Sequence, residues 1–379
     1  MRDKRSPVNS GLEGVVAAAT ATSLVDGKNG RLVYRGYDIE DLAEHSTYEE
    51  VAYLVWNGRL PTGRELTELE HQLAIQRELP KEVERWLASA PKTAHPMDIL
   101  RTAVSALGLY DPDARDNGHD ANVRKSIRLT AQVPTVVAGY QRLRDGREIV
   151  HPQQSGGLAG NFLYMFFGTD PDPEVARIFD ICLILHCEHG LNASTFSGRV
   201  TASTLSDIHS AITSAVGTLK GPLHGGANER VMEMLLKIDE PARAREWIES
   251  ALAQKQRVMG FGHRVYKTED PRATILRRYS EQLGRRTGEL RWYEISREVE
   301  KAMREDKPEI YPNVDFYSAS VYYMMGIPID QYTPIFAISR MAGWTAQLLE
   351  QYSSNRLIRP ESEYTGPPSL KYVPIDRRG

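Results

Sequence analysis

The stretch LSDIHSAITSAVGTLKGPLHGGANERV, residues 205–231, decides the fold class of this chain. Its first part carries apolar side chains at the spacing of one helix face, namely Leu205, Ile208, Ile212, Val216 and Leu219. The positions between them are mostly Ala, Ser, Thr and Gly, which allow two helix axes to approach closely. We therefore expect a helix over 205–219, buried at a tight helix–helix contact, then a turn and a second helix from Ala227.

The same helical periodicity extends outward in both directions, whereas the alternation of a strand is confined to a small hairpin predicted around Gly30–Arg35. Capping residues, Pro and Gly mark where helices begin and end. The predicted helices run from Asp172 to Gly190, from Pro241 to Gln256, from the Asp270-Pro271 pair onward, from Phe316 to Met325 and from Pro334 to about Tyr352. The predicted class is all-α. The polar, Pro-rich tail from Arg359 is expected to wrap a partner or to fray.

Composition excludes several classes of function. The chain has 379 residues, enough for more than one domain, and its 47 Lys and Arg balance 50 Asp and Glu. Nothing in this balance favours nucleic acid or an anionic membrane as a partner. No apolar run reaches the roughly 18 residues of a spanning helix, and residues 1–7 lack the apolar core of a signal peptide. Cys182 and Cys187 are too few for a disulfide framework, so we expect a cytoplasmic setting.

Two histidines lie on turns beside glycine and are candidates for proton transfer. His224 lies near a helix N-terminus, where a neutral imidazole can donate to a developing enolate oxygen; an exposed loop histidine is an equally good interpretation. His263 follows Gly260-Phe261-Gly262, whose glycines let the backbone approach a ligand closely. The flanking basic residues suit a coenzyme phosphate, although a solvated basic face also explains them. They are Lys255, Arg257, Arg264 and Lys267.

A third proton-transfer candidate is Asp315, which lies among apolar residues shortly after Pro312. An apolar setting raises the pKa of a carboxyl group and makes it a better base toward a weak carbon acid. The alternative is structural, because either Asn313 or Asp315 could cap the helix predicted at Phe316–Met325.

Two arginines lie where a substrate carboxylate could bind. Arg272 is at the second position of the helix capped by Asp270, beside free helix N–H groups, although an ordinary surface arginine fits the same pattern. Arg340 lies in an apolar helix on the same face as Phe336, four residues earlier. A charge in that setting needs a partner, which is either a substrate carboxylate or an internal Asp or Glu.

The stretch His186-Cys187-Glu188-His189 contains two histidines three residues apart. Such a pair could ligate a metal and would then indicate a metallohydrolase. Packing and capping explain the pair better, because no further ligand lies near it in the sequence. We therefore expect no metal site.

Several longer motifs, in order along nearly the whole chain, resemble the citrate synthase family. They are Gly11–Val16, Tyr34–Ile39, His95–Asp98, Arg101–Ser105, Asn161–Met165 and His189–Thr195, together with the segments that carry His224, His263 and Asp315. The length resembles the shorter bacterial and archaeal form of the family. One departure is Gly190, where the family usually has a glutamate after the histidine.

The resemblance implies a role for each matching residue. Asp315 matches the base that removes a methyl proton from acetyl-CoA, and His224 matches the group that stabilises the resulting enol at the thioester oxygen. His263 matches the acid that polarises the oxaloacetate carbonyl. The residues that match the oxaloacetate and acyl site are His189, Arg272, Arg340, Phe336 and, from the second subunit, Arg359. Those that match contacts to coenzyme A are Lys267 and the loop of Val258, Met259, Gly260, Phe261 and Gly262.

The resemblance also implies architecture and partners. It implies a two-domain helical fold, with a large domain at 1–224 and 323–379 and a small domain at 225–322. The implied substrates are oxaloacetate and a coenzyme A thioester, with no tightly bound cofactor, in a homodimer whose sites are shared across subunits. The alternative within the family is 2-methylcitrate synthase, which uses propionyl-CoA with the same catalytic set. A binding-only relative is disfavoured because all three catalytic residues are present.

Overall fold

The computed structural model describes residues 9–12 and 14–378 of the chain. Residues 1–7, where the sequence predicts no signal peptide, lie outside these ranges, as does Glu13 of the Gly11–Val16 motif. The described residues are mainly helical, which confirms the all-α class. Their helices are α1 Ile39–His45, α2 Tyr48–Asn57, α3 Gly63–Ile75, α4 Lys81–Ser89, α5 Pro96–Tyr110, α6 His119–Arg144, α7 Leu158–Phe167, α8 Pro173–His186, α9 Ala193–Ser203, α10 Ile208–Leu219, α11 Ala227–Ile238, α12 Ala244–Ala253, α13 Pro271–Thr287, α14 Arg291–Asp306, α15 Val314–Met324 and α16 Tyr332–Ser353.

One small antiparallel sheet precedes the helices. Its strands are β1 Ser23–Asp26, β2 Arg31–Tyr34 and β3 Tyr37–Asp38, in the order β1-β2-β3. Ser23 pairs with Tyr34 and Asp26 with Arg31, so β1 and β2 form a hairpin whose turn is residues 27–30. The prediction of a small hairpin here is confirmed, with its first strand lying before the predicted stretch.

Helix α10 confirms the helix expected in the opening stretch, although it begins at Ile208 rather than at Leu205. Asp207 caps it by accepting a hydrogen bond from the Ser210 N–H, and Leu205 has a φ of 64° that no helix accommodates. α10 packs against α9 and α5. A methyl group added at Gly198 of α9 would lie 3.4 Å from the Ala211 carbonyl oxygen. The close contact predicted from the small residues is therefore present.

Helix α16 is buried along nearly its whole length; it begins at Tyr332 and so includes Pro334 in its first turn. It crosses the core in contact with α6, α9, α8 and α2. Only its C-terminal end reaches the surface, so Arg340 in its middle lies inside the protein. None of the helices in residues 9–12 and 14–378 is both long and apolar enough to cross a bilayer.

Two predicted helices have different boundaries in the structure. α8 ends at His186, so Cys187, Glu188 and His189 form a short connection, and Gly190 follows with a φ of 59°. A left-handed backbone suits glycine at this position.

The segment predicted as one helix from Pro241 to Gln256 begins with a single 3₁₀ turn and becomes α-helical only over α12. The division into domains at residues 225 and 322 stays a prediction.

Candidate active site

His224 lies in the turn between α10 and α11, with its ring against the start of α9. Its Nε2 atom is 2.9 Å from the Ser194 hydroxyl and accepts a hydrogen bond from the Ser194 N–H at 3.3 Å. The Ser194 hydroxyl donates its own proton to the Asn192 side-chain oxygen at 2.7 Å, so the backbone N–H is the donor that fixes Nε2 as an acceptor, and the neutral ring carries its proton on Nδ1. Burial lowers the pKa of His224 to about 4, so the ring is neutral at pH 7. The half-buried ring excludes the alternative of an exposed loop histidine.

His263 is held in one tautomer by the backbone that follows it. The Val265 N–H and the Tyr266 N–H donate to its Nδ1 at 3.0 and 3.1 Å, so the proton of the neutral ring is on Nε2. Burial, followed by the charge of Arg272, lowers the pKa of His263 to about 4. The ring is therefore a neutral hydrogen-bond donor at pH 7, rather than part of a solvated basic face.

Asp315 lies in the first turn of α15 but does not cap it. Asn313 is the cap, because its side-chain oxygen accepts from the Asp315 N–H at 3.0 Å. The Asp315 carboxylate is therefore not used to cap the helix. Its Oδ1 atom is fully buried and has no hydrogen-bond partner among the described residues. Burial raises the pKa of Asp315 to about 7, which makes it a stronger base than an ordinary carboxylate.

The segments that carry His263 and Asp315 are tied to each other by backbone hydrogen bonds. The Gly262 N–H donates to the Tyr311 carbonyl and the Asn313 N–H donates to the Gly260 carbonyl, both at 2.8 Å. Gly260 has a φ of 80°, and a methyl group there would lie 2.8 Å from the Phe316 ring. Glycine at this position therefore lets the His263 loop lie directly on α15, at a fixed distance from Asp315.

Arg272 is buried at the start of α13, which excludes the alternative of a surface arginine. Asp270 binds its guanidinium through two hydrogen bonds of 3.0 and 2.8 Å and also caps the helix by accepting from the Arg272 N–H. The Asp270 carboxylate thus holds the Arg272 guanidinium in one orientation beside His263 and Asp315. The positive charge of Arg272 lowers the pKa of both groups, which for Asp315 opposes the larger effect of burial.

Arg340 is also buried, and its Nε donates to the His186 carbonyl at 2.6 Å, while its guanidinium lies 4.7 Å from the Phe336 ring centroid. No carboxylate of the described residues lies within 4.0 Å of it, so Arg340 makes no direct ion pair with an internal Asp or Glu. Burial lowers the pKa of Arg340, and the nearby charge of Glu188 opposes that shift. A buried cation with no carboxylate in direct contact is suited to an anionic ligand.

His189 is brought into the same site by the connection after α8. Its Nε2 lies 3.2 Å from the Tyr266 hydroxyl, and its ring is 5.1 Å from that of His263. His186 instead turns into the core, where its Nδ1 is 2.8 Å from the Cys182 carbonyl and its ring packs on Phe336. No group of three or more potential metal ligands occurs within residues 9–12 and 14–378, so the His186–His189 stretch gains no third ligand.

A cavity of about 600 Å³ opens beside His263. Of the residues assigned to coenzyme A by resemblance, four line it: Val258, Phe261, Gly262 and Lys267. Met259 and Gly260 do not reach its wall. Arg257 and Lys307 line the cavity together with Lys267, as do two acidic residues, Glu309 and Asp270, the second of which is paired with Arg272. The excess of cations suits a phosphate-bearing ligand.

Of the remaining predicted site residues, Phe336 is buried and Arg359 is exposed. Phe336 is buried against His186 and Arg340, which places a ring at the arginine end of the site. Arg359 is exposed in the tail after α16 and makes no hydrogen bond to the described residues. Its role in a site stays a prediction.

Sequence reasoning missed three residues that position the site. Ser194 binds His224 and accepts from the Trp344 indole N–H at 3.1 Å, Tyr266 contacts His189, and Asp270 orients Arg272. Only Asp270 had a usable signal, because a carboxylate two residues before an arginine at a helix start can both cap the helix and pair with the guanidinium. The Ser194 and Tyr266 contacts join residues 30 and 77 positions apart and have no local pattern.

The pH dependence of activity is expected to follow the Asp315 carboxyl group. Since burial raises its pKa to about 7, kcat/KM for the thioester should rise with pH up to about 7 and level off above it. His224 and His263, with pKa values lowered to about 4, stay neutral throughout this range. Initial rates from about pH 5 to about pH 9 measure the profile.

A second buried carboxyl group requires a control in this experiment. Burial raises the pKa of Glu188 to about 7 as well, although Ser23 and Gln347 hold one of its oxygens by hydrogen bonds. The Glu188→Gln variant should keep the same pH midpoint, whatever its absolute rate. Loss of the rising limb in that variant would assign the titration to Glu188 instead of Asp315.

The site combines the buried Asp315 carboxyl group, two neutral histidines and two buried arginines in a helical fold. Such an arrangement is suited to removing a proton beside a carbonyl group and to binding a carboxylate-bearing acceptor. The family model described as "Citrate synthase, C-terminal domain" matches residues 11–361. The chain belongs to the citrate synthase family, a family of acyltransferases.

Individual relatives agree with this assignment. The chain is 52% identical to citrate synthase from Haloferax volcanii, over 97% of this chain and 98% of that protein. It is 45% identical to 2-methylcitrate synthase 1 from Corynebacterium glutamicum, over 98% of this chain and 99% of that protein. The structure of the ternary complex of carboxymethyl coenzyme A and oxaloacetate with citrate synthase from Thermoplasma acidophilum superimposes with a TM-score of 0.93, at 34% identity, over 98% of this chain and 100% of that one.

Proposed function

We propose that this protein is a citrate synthase, which condenses acetyl-CoA with oxaloacetate and water to give citrate and free coenzyme A through an enol intermediate. The observation that carries this proposal is that the site contains one proton acceptor and two hydrogen-bond donors. The Asp315 carboxylate can accept one, while His224 and His263 each have one N–H free to donate. A carbon–carbon condensation between a thioester and a ketone needs one base and two donors to carbonyl oxygens.

The first step is enolisation of the thioester. Asp315 takes a methyl proton, and the Nδ1–H of His224 donates to the thioester oxygen, where negative charge develops. Both groups are tuned by burial, which raises the pKa of the carboxyl group and keeps the histidine neutral. Proton transfer from a weak carbon acid is less unfavourable when the pKa of the base is raised toward that of the acid.

The second step joins the two substrates. The enol carbon attacks the ketone carbon of oxaloacetate while the Nε2–H of His263 donates to the ketone oxygen. That oxygen takes up a proton and stays on the product as the tertiary hydroxyl group of citryl-CoA. His189, Arg272 and Arg340 hold the substrate carboxylates, and Phe336 lines the acyl pocket. Water then cleaves the citryl thioester, giving the third carboxylate of citrate and the thiol of coenzyme A. The coenzyme binds in the cavity lined by Val258, Phe261, Gly262 and Lys267.

The alternative substrate is propionyl-CoA, supported by the Corynebacterium relative named 2-methylcitrate synthase 1. The same proton set serves both acyl groups, and one methylene in an apolar pocket is worth only about 1–3 kcal/mol. Steady-state rates of thiol release with oxaloacetate and either thioester decide between them. A higher kcat/KM for acetyl-CoA supports the proposal, and a higher value for propionyl-CoA replaces it with 2-methylcitrate synthesis.

We further propose a cytoplasmic homodimer without a tightly bound cofactor or metal. Cys182 and Cys187 are both free and buried, as suits a reducing compartment. The tail after α16 exposes large apolar side chains, including Leu370 at 82% and Tyr372 at 81%, beside the exposed Arg359. Such a segment gains stability by packing on a partner, and a two-fold dimer would bring each tail to the other subunit's site.

Mixed dimers test whether Arg359 is shared. Arg359→Ala and Asp315→Asn proteins are each expected to be nearly inactive, but their heterodimer should recover activity. One of its two sites then carries both changes and the other carries neither, because Asp315 and Arg359 of a given site come from different chains. The measurement is the rate of thiol release by dimers purified with two different affinity tags. Verified heterodimers no more active than either parent would place Arg359 in its own subunit's site or outside the site.

A further inference from the structure

The N-terminal hairpin, β1 and β2, touches the two segments that bring His189 and His263 into the site. At the start of β1, the Ser23 hydroxyl accepts from the Gly190 N–H at 3.0 Å and donates to a Glu188 carboxylate oxygen at 2.9 Å. These two contacts lie on either side of His189. In β2, the Tyr34 hydroxyl donates to the Glu188 carbonyl at 2.8 Å. The hairpin thus fixes the connection that carries His189.

The turn of the hairpin contacts the His263 segment. The Gly27 carbonyl accepts from the Lys267 N–H at 2.8 Å. Gly27 is buried, although Lys28 and Asn29 beside it are exposed, so the 265–267 backbone covers only this part of the turn. Asp26 makes the turn rigid, because its carboxylate accepts from the N–H groups of Lys28 and Asn29 at 3.1 and 3.0 Å.

The backbone docked on Gly27 is the same backbone that orients His263. Val265 and Tyr266 donate both hydrogen bonds that fix the His263 tautomer, and Lys267 is bound by Gly27 one residue later. The Tyr266 hydroxyl in turn contacts His189. A shift of the 265–267 backbone away from the hairpin would therefore move the His263 ring and the His189 contact together.

We propose that this hairpin is a positioning element, which sets His189 and His263 at their working separation, with Gly27 as the residue that seats the His263 segment. This role rests on the proposed function, because it acts through the polarisation of the ketone by His263. One histidine segment is bound by Ser23 at the start of β1 and the other by Gly27, the residue that directly follows β1, and the two rings lie 5.1 Å apart. Within the described residues, neither histidine side chain makes a hydrogen bond to the hairpin, so we assign the effect of the hairpin to backbone placement.

Only glycine allows this seating. A methyl group at position 27 would lie 2.1 Å from the Val265 carbonyl oxygen and 2.6 Å from its carbon, and backbone atoms cannot rotate away. Gly27 does not have a positive φ, so alanine is allowed in the turn itself. The only obstacle to alanine at position 27 is therefore the clash with the Val265 carbonyl group of the segment that packs on the turn. The matched control is Gly160→Ala, where an added methyl group meets nothing within 4 Å.

The experiment compares wild type, Gly27→Ala and Gly160→Ala by thiol-release kinetics and by the infrared carbonyl stretch of bound, isotope-labelled oxaloacetate. We expect Gly27→Ala to lose about 100-fold in kcat/KM for oxaloacetate, the scale of an ångström-sized misplacement. The carbonyl stretch should return toward that of free oxaloacetate, a change that general destabilisation would not produce. Gly160→Ala should match wild type in both measurements.

A folded Gly27→Ala protein with wild-type kinetics and an unshifted carbonyl stretch would overturn the proposal. Should circular dichroism show that this variant is unfolded, Ser23→Ala replaces it, because the change removes the hydroxyl contacts beside His189 and adds no bulk. Its kcat/KM should fall as well, and an unchanged value overturns the proposal. Wild-type protein that releases no thiol from either thioester would refute the proposed function instead, so the two failures are distinguishable.

Discussion

Replacing Asp315 with Asn is expected to lower kcat by about 10²–10⁴-fold, because an amide of the same shape cannot accept the methyl proton. The affinity for oxaloacetate should stay close to that of wild type, since the carboxylate acts on the thioester and Arg272 and Arg340 supply the charge for the acceptor. Stopped assays of thiol release give kcat, and calorimetric titration gives the oxaloacetate dissociation constant. Retention of more than about a tenth of wild-type kcat would remove Asp315 from this role.

The stability of this variant provides its control. The folded-state pKa of Asp315, about 7, lies above the ordinary value of 3.8, so its contribution to the free energy of unfolding is favourable at low pH and is lost as the pH rises toward 7. Asn carries no such charge. The Asp315→Asn protein should therefore unfold at pH 8 at a temperature no lower than wild type, which separates a lost base from a damaged fold.

Removing the His224 imidazole is expected to abolish the exchange of acetyl-CoA methyl protons with deuterated solvent. The enol oxygen then has no donor, and loss of one such donor typically costs about 10²–10³-fold in rate. His263→Ala is the matched comparison, because it removes an equally neutral, buried imidazole that acts on the other substrate. It should impair condensation and leave methyl exchange measurable. Proton NMR follows the exchange directly, and wild-type exchange in His224→Ala would exclude the enol-stabilising role.

Local signals predicted the helical frame well. The Asp172-Pro173 and Asp270-Pro271 pairs open α8 and α13 at the expected residues, because a capping side chain and a proline act within one turn. Helix starts that depend on competition between neighbours were less certain. Asn313 rather than Asp315 caps α15, and the Asp207 cap shortens α10 by three residues.

Features built from distant residues could not be predicted from periodicity. The Gly27 contact with Lys267 spans 240 positions, and the pairing of His224 with Ser194 depends on how α9 and α10 pack. The resemblance to known enzymes implied roles for these histidines, but not the groups that orient them. Tautomers follow from tertiary hydrogen bonds, which no single segment of the sequence encodes.

The guanidinium of Arg340 in the middle of α16 has a consequence for the evolution of this chain. Replacing a buried ion pair by apolar side chains of similar volume often stabilises proteins by about 1–4 kcal/mol, and a buried cation without a carboxylate partner has even less to offset its dehydration. A methionine at this position would fill the same space without the cost of dehydrating a cation that lacks a carboxylate within reach. Selection for thermal stability alone would therefore favour losing Arg340. Selection for catalytic activity opposes that loss, so Arg340 is a position where stability and activity are in conflict.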